Sequence, residues 1–211
     1  KRKSTKISQT KSIKLDRTAF YPAGGGQPSD TGVLSANGVS YNVIGVRKDN
    51  GKIFHEVDRE GLGQGDKVRG VIDWDKRYKY MRMHTAAHSL AAVFNDDAGA
   101  LITGNQLGEA QTRFDFSLEN FDRELIDKLV KKTNELMAQG KPVNISYKDR
   151  EEAMKIPAIV KLANALPPSI KTLRLVEIEG IDLQADGGTH VSNTSEVGNI
   201  NIERLDNKGK N

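Results

Sequence analysis

Hydrophobic and polar residues alternate in three segments near the start of the chain, and this alternation predicts β-strands. The segments are Val39–Val46, Lys52–Val57 and Lys67–Trp74. Asn37-Gly38 and Asn50-Gly51 stand before the first two, and Asn-Gly pairs favour the tight turns of β-hairpins. Short strands at this spacing predict a small β-barrel-like domain over residues 1–74.

From residue 75 onward the hydrophobic residues recur with the period of amphipathic helices. Asp75 is expected to cap a helix that ends near Phe94, and a second helix is predicted over Asn120–Ala138. Shorter helices are predicted over Asp149–Met154 and Val160–Ala165, and strands over Gln111–Phe116, Val143–Tyr147, Thr172–Ile178 and Ser195–Arg204. This order predicts an α+β fold, in which residues 75–211 form a second domain with an antiparallel sheet.

The overall composition limits the cellular setting. The chain has 211 residues, 36% hydrophobic and 28% charged, and no cysteine. Disulfides and cysteine nucleophiles are therefore absent. No apolar run approaches the ~20 residues of a membrane span, and no signal-peptide pattern is found. We expect a cytoplasmic protein without a membrane partner, and we favour a monomer.

Positive charge is concentrated in two places although the net charge is only +4. Basic residues dominate residues 1–17, and a second group lies between Lys67 and Arg82, comprising Lys76, Arg77, Lys79 and Arg82. Such clusters suit the phosphate backbone of a nucleic acid. An ordinary basic protein explains the charge equally well.

Three of the four histidines belong to one arrangement. His84 and His88 are four residues apart in a predicted helix, so their side chains are separated by about 40° around its axis. Asp186 and His190 repeat that spacing in a later segment. Imidazole and carboxylate groups are ligands of zinc, and the two pairs predict a zinc site. The alternative is a set of unrelated core or surface histidines.

Four motifs resemble one family in both composition and order. They are Phe20-Tyr21-Pro22-Ala23-Gly24-Gly25-Gly26-Gln27-Pro28, Val71 to His88, Arg113-Phe114-Asp115-Phe116, and Gly187-Gly188-Thr189-His190-Val191. They resemble the editing domains of alanyl-tRNA synthetases. The best resemblance is to the AlaX family of free-standing editing proteins, in its medium-length type.

The resemblance implies a hydrolase that removes serine misattached to alanine tRNA, with glycine as a second substrate. It also implies a zinc-containing α+β editing domain and the acceptor end of tRNA(Ala) as the partner. In this family the metal ligands come from HxxxH and CxxxH motifs. His84, His88 and His190 match, whereas Asp186 stands at the usual cysteine. Asp186 either binds zinc directly or leaves a fourth position to water.

Other positions are candidates for recognition of the substrate. Thr85 occupies the place where zinc peptidases of the HExxH type carry glutamate, which argues against peptidase activity. Thr103, Gln106 and Gln27 are the candidate catalytic residues, and with Asn105 they are the polar side chains expected to recognise the serine hydroxyl. The glycines Gly24, Gly25 and Gly26 would let the backbone approach the acceptor end.

Two other functions remain open at this point. The chain could be a metal-stabilised RNA-binding module without activity, in which Asp186 marks a decayed site. It could also be an editing fragment of a complete alanyl-tRNA synthetase. Deacylation of Ser-tRNA(Ala) with and without a chelator separates the first of these from an editing enzyme.

Overall fold

The computed structural model describes residues 11–118, 120–156, 159, 169–207 and 209. They form two compact units, one up to Tyr80 and one from Met81 onward. The division lies inside the longest helix, α1, which runs from Trp74 to Ala98. Both units combine antiparallel strands with helix, so the predicted α+β class is confirmed.

The N-terminal unit contains a five-stranded antiparallel sheet with the order β1-β4-β3-β2-β5. Its strands are β1 (Lys11–Lys14), β2 (Gly32–Ala36), β3 (Val39–Asp49), β4 (Lys52–Val57) and β5 (Arg69–Ile72). Among the described residues β1 and β5 do not pair with each other. The sheet is therefore open, and the predicted closure into a barrel is not confirmed.

The two predicted Asn-Gly turns are confirmed. Asn37 and Gly38 have φ angles of 51° and 77°, and Asn50 and Gly51 have φ angles of 46° and 75°. Two consecutive left-handed residues form the turn type that matches the twist of a two-residue hairpin. These turns join β2 to β3 and β3 to β4. The strands enclose a core that includes Phe20, Leu34, Tyr41, Val43 and Val57.

A buried ion pair attaches the first turns of α1 to this unit. The Asp30 side chain is inaccessible, and it accepts hydrogen bonds from the Tyr21 backbone N–H at 2.6 Å and from Arg77 Nε at 2.8 Å. Arg77 Nη2 also contacts Asp30 Oδ2 and donates to the Ala19 carbonyl at 2.8 Å. Arg77, predicted as an RNA contact, is thus bonded within its own unit.

The second unit contains the remaining described elements. These are the rest of α1, β6 (Ile102–Gln106), β7 (Arg113–Phe116), α2 (Arg123–Met137), β8 (Val143–Asp149), α3 (Arg150–Ala153), β9 (Thr172–Ile178), β10 (Asp182–Ala185) and a 3-10 turn at Thr194–Glu196. They include a β6-β7 hairpin and a three-stranded sheet with the order β10-β9-β8. No helix of the described residues is long and apolar enough to cross a membrane.

Several predicted elements differ from the structure. The predicted strand Ser195–Arg204 is wrong: Asn193 and Glu196 form a capping box around the 3-10 turn, and no strand follows it in the described residues. The alternation there has another cause, because Ile200 and Ile202 pack on the core beside α2, and the Asn134 side chain bonds both the N–H and the carbonyl of Ile200.

The other differences between prediction and structure concern the first residues of the helices and the strands that were not predicted. Asp73, rather than Asp75, accepts the Lys76 N–H at the start of α1, and Asp122 caps α2. The candidate catalytic residue Thr103 lies in β6. The strands β1, β2, β6 and β10 were not predicted, and the predicted helix Val160–Ala165 lies outside the described residues.

We expect Arg77→Ala to lower the free energy of unfolding by about 3 kcal/mol, because Asp30 would keep a buried charge without its cationic partner. Urea unfolding followed by circular dichroism measures this change. Lys79→Ala removes an exposed cation from the same helix and is the matched control. An Arg77→Ala protein as stable as the Lys79→Ala protein would contradict the structural role of the ion pair.

Candidate metal centre

Helix α1 supplies the first two histidines of the centre. His84 and His88 lie one helical turn apart and retain 4% and 7% of their accessible surface. Their ring centroids are 5.1 Å apart. The neighbours Thr85, Ala86, Ala87 and Ser89 are buried as well, so this stretch of the helix is enclosed in its unit. Small residues at these positions permit that enclosure.

The second pair of residues follows strand β10. His190 Nε2 lies 3.1 Å from Asp186 Oδ2, and the His190 ring is 4.5 Å from the His84 ring and 4.8 Å from the His88 ring, measured between centroids. One candidate ligand atom from each of His84, His88, Asp186 and His190 lies within 4.8 Å of all the others. The structure therefore brings the four predicted ligands together in one cluster.

Gly188 permits the close approach of helix α1 and the loop that carries Asp186 and His190. A Cβ atom at this position would lie 2.0 Å from His84 Cε1 and 2.3 Å from His84 Nδ1, distances that no side chain tolerates. The Gly188 N–H also donates to Asp186 Oδ2 at 2.5 Å. A Cβ at the preceding Gly187 would have no atom within 4 Å. The steric requirement for glycine thus belongs to Gly188, the second glycine of the motif.

Neighbouring groups orient two of the three imidazoles. His88 Nδ1 lies 2.8 Å from Asp182 Oδ2, and His190 Nδ1 lies 3.1 Å from Thr85 Oγ1. Donation from Nδ1 to these oxygens leaves each Nε2 lone pair directed to the cluster, as metal-binding histidines require. Thr85 Oγ1 also accepts the Val191 N–H at 3.3 Å. Thr85 therefore occupies the position of a peptidase base but serves to orient His190.

Sequence reasoning missed Asp182 and Arg174. Arg174 Nη1 donates to the Asp186 carbonyl at 2.7 Å and lies 3.7 Å from Asp186 Oδ2. Asp182 precedes Asp186 by four residues, and side chains two apart in a strand share a face. That alternation was the one available signal for Asp182. Arg174 lies on the adjacent strand, where only the register of β9 and β10 identifies it.

Burial and neighbouring groups shift the pKa values of His84, His190 and Asp186. It lowers the pKa of His84 to about 3 against the opposing effect of the Asp186 carboxylate, and it also lowers the pKa of His190. Burial alone would raise the pKa of Asp186, but the nearby imidazoles of His190, His84 and His88 hold it below its usual range. Neutral imidazole and ionised carboxylate are the forms that bind metals.

This donor set fits zinc. Three imidazole nitrogens and one carboxylate oxygen match the number and type of ligands that zinc takes in proteins. The oxygen Asp186 Oδ1 lies 3.6 Å from His84 Nε2 and 4.0 Å from His88 Nε2, whereas Oδ2 accepts the Gly188 N–H. Oδ1 is therefore the candidate ligand atom of Asp186.

The candidate recognition residues of this unit lie on the β6-β7 hairpin. Thr103 is exposed at an irregularity in the pairing of the strands, and its Oγ1 donates to the Asp115 carbonyl at 3.3 Å. Asn105 and Gln106 are exposed on the same strand. The hairpin packs on α1 through Phe116, whose ring stacks on Phe94 with centroids 4.3 Å apart.

The other candidates occupy different places. Gly24–Gly26 form an exposed turn in which the backbones of Gly24 and Gln27 bond to each other, and the Gln27 side chain is buried. Gly25 and Gly26 have φ angles of 59° and 82°. In the second unit, Arg82 Nε and Nη2 donate to the Val197 carbonyl at 3.2 Å and 2.7 Å. Arg82, like Arg77, therefore has an intramolecular bonding role.

Two family models of aminoacyl-tRNA synthetases each match a part of this chain. The family described as "tRNA synthetases class II (A)" matches residues 1–76. The "Threonyl and Alanyl tRNA synthetase second additional domain" matches residues 173–211, which include Asp186 and His190. The first match covers a part of the N-terminal unit. The second covers the segment that carries Asp186 and His190.

Similar proteins define the family. The alanyl-tRNA editing protein AlaX-M of Methanosarcina barkeri (strain Fusaro / DSM 804) is 52% identical over 97% of this chain and 87% of its own length. AlaX-M of Saccharolobus solfataricus (strain ATCC 35092 / DSM 1617 / JCM 11322 / P2) is 49% identical over 93% of this chain and 84% of its own length. The chain belongs to the AlaX-M family of alanyl-tRNA editing proteins, which confirms the resemblance found in the motifs.

A complete synthetase is also related to this chain. The alanine–tRNA ligase of Methanococcus maripaludis (strain C7 / ATCC BAA-1331) is 39% identical over 91% of this chain, but this match covers only 21% of the ligase. The chain thus corresponds to one segment of that enzyme.

We expect the purified protein to contain about one zinc ion per chain by elemental analysis. Gly188→Ala should lose this zinc, because the new methyl group would displace the His84 ring. Gly187→Ala adds the same methyl group in open space and is the matched control.

The double variant His84→Ala/His88→Ala should also lose zinc, because it removes both ligands from α1. Stoichiometric zinc in this variant would contradict the assignment of the centre. Equal zinc contents in the Gly187 and Gly188 variants would contradict the steric role of Gly188.

Proposed function

We propose that this chain hydrolyses the ester bond of Ser-tRNA(Ala), with Gly-tRNA(Ala) as a second substrate, at a zinc centre formed by His84, His88, Asp186 and His190. The observation that carries the proposal is the buried cluster of these ligands in a member of the AlaX-M family. Zinc, when bound, polarises a carbonyl or lowers the pKa of a water molecule. The partner is the acceptor end of tRNA(Ala).

The surrounding residues hold the ligands rather than supply a conventional base. Asp182 orients His88 and Thr85 orients His190. A zinc peptidase of the HExxH type needs a glutamate at the position of Thr85 to activate water. A threonine whose oxygen accepts a backbone N–H and bonds an imidazole is unsuited to that role. These contacts favour ester hydrolysis over peptide hydrolysis.

Asp186 supports an active centre over a decayed one. Its oxygen Oδ2 accepts a backbone N–H, while Arg174 holds its backbone carbonyl. The carboxylate is therefore fixed within the cluster of candidate ligands. An aspartate that merely marked a lost site would have no need of this support. If the protein fails to deacylate Ser-tRNA(Ala), the alternative of an inactive RNA-binding module is favoured.

Discrimination between serine and alanine needs a polar group, because the substrates differ by one hydroxyl. Thr103 is the first candidate, since irregular pairing in a hairpin redirects side chains and is common beside active sites. Gln106 and Asn105 are further candidates on the same strand, and Gln27 is a candidate from the N-terminal unit. A pocket that hydrogen-bonds a substrate hydroxyl rejects the analogue that lacks it.

The exposed Gly24–Gly26 turn and the basic residues are the proposed contacts of the acceptor end. A turn without side chains allows a close approach of the sugar-phosphate backbone to main-chain N–H groups. Lys76 and Lys79 are candidates for phosphate contacts, and Lys79 is exposed. Arg77 and Arg82 are bonded to Asp30 and to the Val197 carbonyl. The two arginines stabilise the packing of α1, the helix that carries the two lysines.

We expect the protein to deacylate Ser-tRNA(Ala) at least about tenfold faster than Ala-tRNA(Ala), a difference of about 1.4 kcal/mol in transition-state stabilisation. Hydrolysis of the two labelled substrates under single-turnover conditions measures the ratio. Thr103→Val should reduce the rate with serine and leave the slow rate with alanine nearly unchanged. A chelator should abolish both reactions.

Thr103→Ser keeps the hydroxyl and is the matched control for this experiment. Equal rates on the two substrates in the unmodified protein would refute the editing function. An unchanged serine rate in Thr103→Val would refute only the role of Thr103.

We expect affinity for tRNA to fall steeply as salt is raised, because neutralised phosphates release counterions on binding. Lys76→Glu/Lys79→Glu should weaken binding and flatten the dependence of the logarithm of affinity on the logarithm of salt concentration. Filter binding at several potassium chloride concentrations measures both quantities. Glutamate substitutions at Lys128 and Lys131, exposed cations of α2, are the control. An unchanged slope in the first variant would place the phosphate contacts elsewhere.

A further inference from the structure

The three-stranded sheet that ends beside the candidate ligand Asp186 also carries an exposed tyrosine. In the register of β8 and β9, Tyr147 is the partner of Arg174. Strand β10 pairs with the other side of β9, and just beyond its end the Asp186 N–H bonds to the Arg174 carbonyl at 3.2 Å. Tyr147, Arg174 and Asp186 therefore form one row across the sheet, and partners in such a row share a face.

This face carries the metal cluster. Asp182 and Gln184 precede Asp186 on the same face of β10. The Asp182 carboxylate on this face contacts His88 Nδ1. The opposite face bears Leu173 and Leu175, which pack in a separate core with Ala153 and Ile159. Adjacent strands lie ~4.8 Å apart, so the backbone of Tyr147 is about 10 Å from that of Asp186. The tyrosine thus stands beside the metal cluster on a rigid support.

Tyr147 and its neighbour on this face are unusually accessible. Tyr147 retains 68% of its surface and Ile145 retains 50%, whereas their partners on β9 include Val176, which is fully buried. In the part of the chain that the structure describes, no strand pairs with the outer edge of β8. An aromatic ring and an aliphatic side chain therefore form a small apolar surface at the margin of the site.

We propose that Tyr147, with Ile145 beside it, is a stacking platform for the 3′-terminal adenine of the tRNA. The inference rests on the proposed function, because an ester held at the cluster leaves the base of the same nucleotide one sugar ring away. Aromatic side chains at such positions bind bases by stacking. Arg174, between Tyr147 and Asp186, has its guanidinium bonded to the Asp186 carbonyl, which leaves the stacking to the tyrosine.

The position of Tyr147 also predicts how it acts. It binds the nucleoside and takes no part in bond cleavage, because it is two strands from the candidate ligand. Its loss should therefore raise KM more than it lowers kcat. An aromatic replacement should leave KM unchanged, since stacking needs the ring and not the hydroxyl. An aliphatic replacement keeps apolar surface but removes the ring.

The test compares Tyr147→Ala, Tyr147→Leu and Tyr147→Phe with the unmodified protein. For deacylation of Ser-tRNA(Ala), Tyr147→Ala and Tyr147→Leu should raise KM about tenfold, with kcat changed less than about twofold and zinc content unchanged. Tyr147→Phe should behave as the unmodified protein. Phe121→Ala, at an exposed aromatic residue before α2, is the matched control.

A second measurement does not depend on catalysis. Uncharged tRNA with 2-aminopurine in place of the terminal adenine should lose fluorescence when it binds the unmodified protein and Tyr147→Phe, but not when bound to saturation by Tyr147→Ala. Equal quenching and equal KM in Tyr147→Ala would overturn the platform. A dimer that Tyr147→Ala abolishes, with quenching unchanged, would assign the surface to contacts between copies and would also overturn it.

The two measurements separate this proposal from the proposed function. If the unmodified protein does not deacylate Ser-tRNA(Ala) but Tyr147 still governs quenching, the editing function fails and the platform stands. If the unmodified protein is active and selective for serine while Tyr147→Ala changes neither measurement, the platform fails and the editing function stands.

Discussion

The contact between the Gly188 backbone and the His84 ring is the constraint on which the candidate centre depends. It allows a loop that is distant in sequence to lie directly on helix α1, because no side chain separates them. The same glycine donates its N–H to Asp186. One residue therefore sets both the distance between this loop and α1 and the orientation of the carboxylate. Any larger residue there would separate the histidine pair from its two partners.

Around this contact, the enclosed polar groups bond to one another. Three imidazoles and a carboxylate out of water would be costly if unpaired. Asp182, Thr85 and Arg174 satisfy the remaining donors and acceptors and also fix the orientation of the ligands. The lowered pKa values of His84, His190 and Asp186 favour two neutral imidazoles and an ionised carboxylate, the forms that suit a cation. Stability and metal-binding chemistry thus depend on the same contacts.

Local patterns predicted much of this fold, and long-range pairing accounts for what they missed. Strand β4 and strand β9 were predicted to the residue, because alternation and Asn-Gly turns are local signals. Strand β10 was missed, because its four residues are recognisable only by their pairing with β9. The extended segment after Thr194–Glu196 has the alternation of a strand, but its backbone bonds to a side chain of α2 instead.

The candidate site divides in the same way. The four candidate ligands were predicted from their spacing, whereas the groups that orient them were not. Those contacts join β10 and the His190 loop to α1 across about a hundred residues of sequence. Arg77 and Arg82 illustrate what charge alone leaves undetermined. Their charge suggested RNA contacts, but the structure shows each one bonded within its own unit. Basic composition indicates a charged surface and cannot identify which cations remain on it.

Asp186 has a consequence for the chemical durability of the centre. A thiolate ligand is open to oxidation, first to sulfenic acid and then irreversibly further, and to attack by alkylating reagents. This chain has no cysteine at all, and the candidate ligands are three imidazoles and one carboxylate. Peroxide and thiol reagents therefore find no sulfur among the candidate ligands. Metal binding by these four groups would not require a reduced thiol.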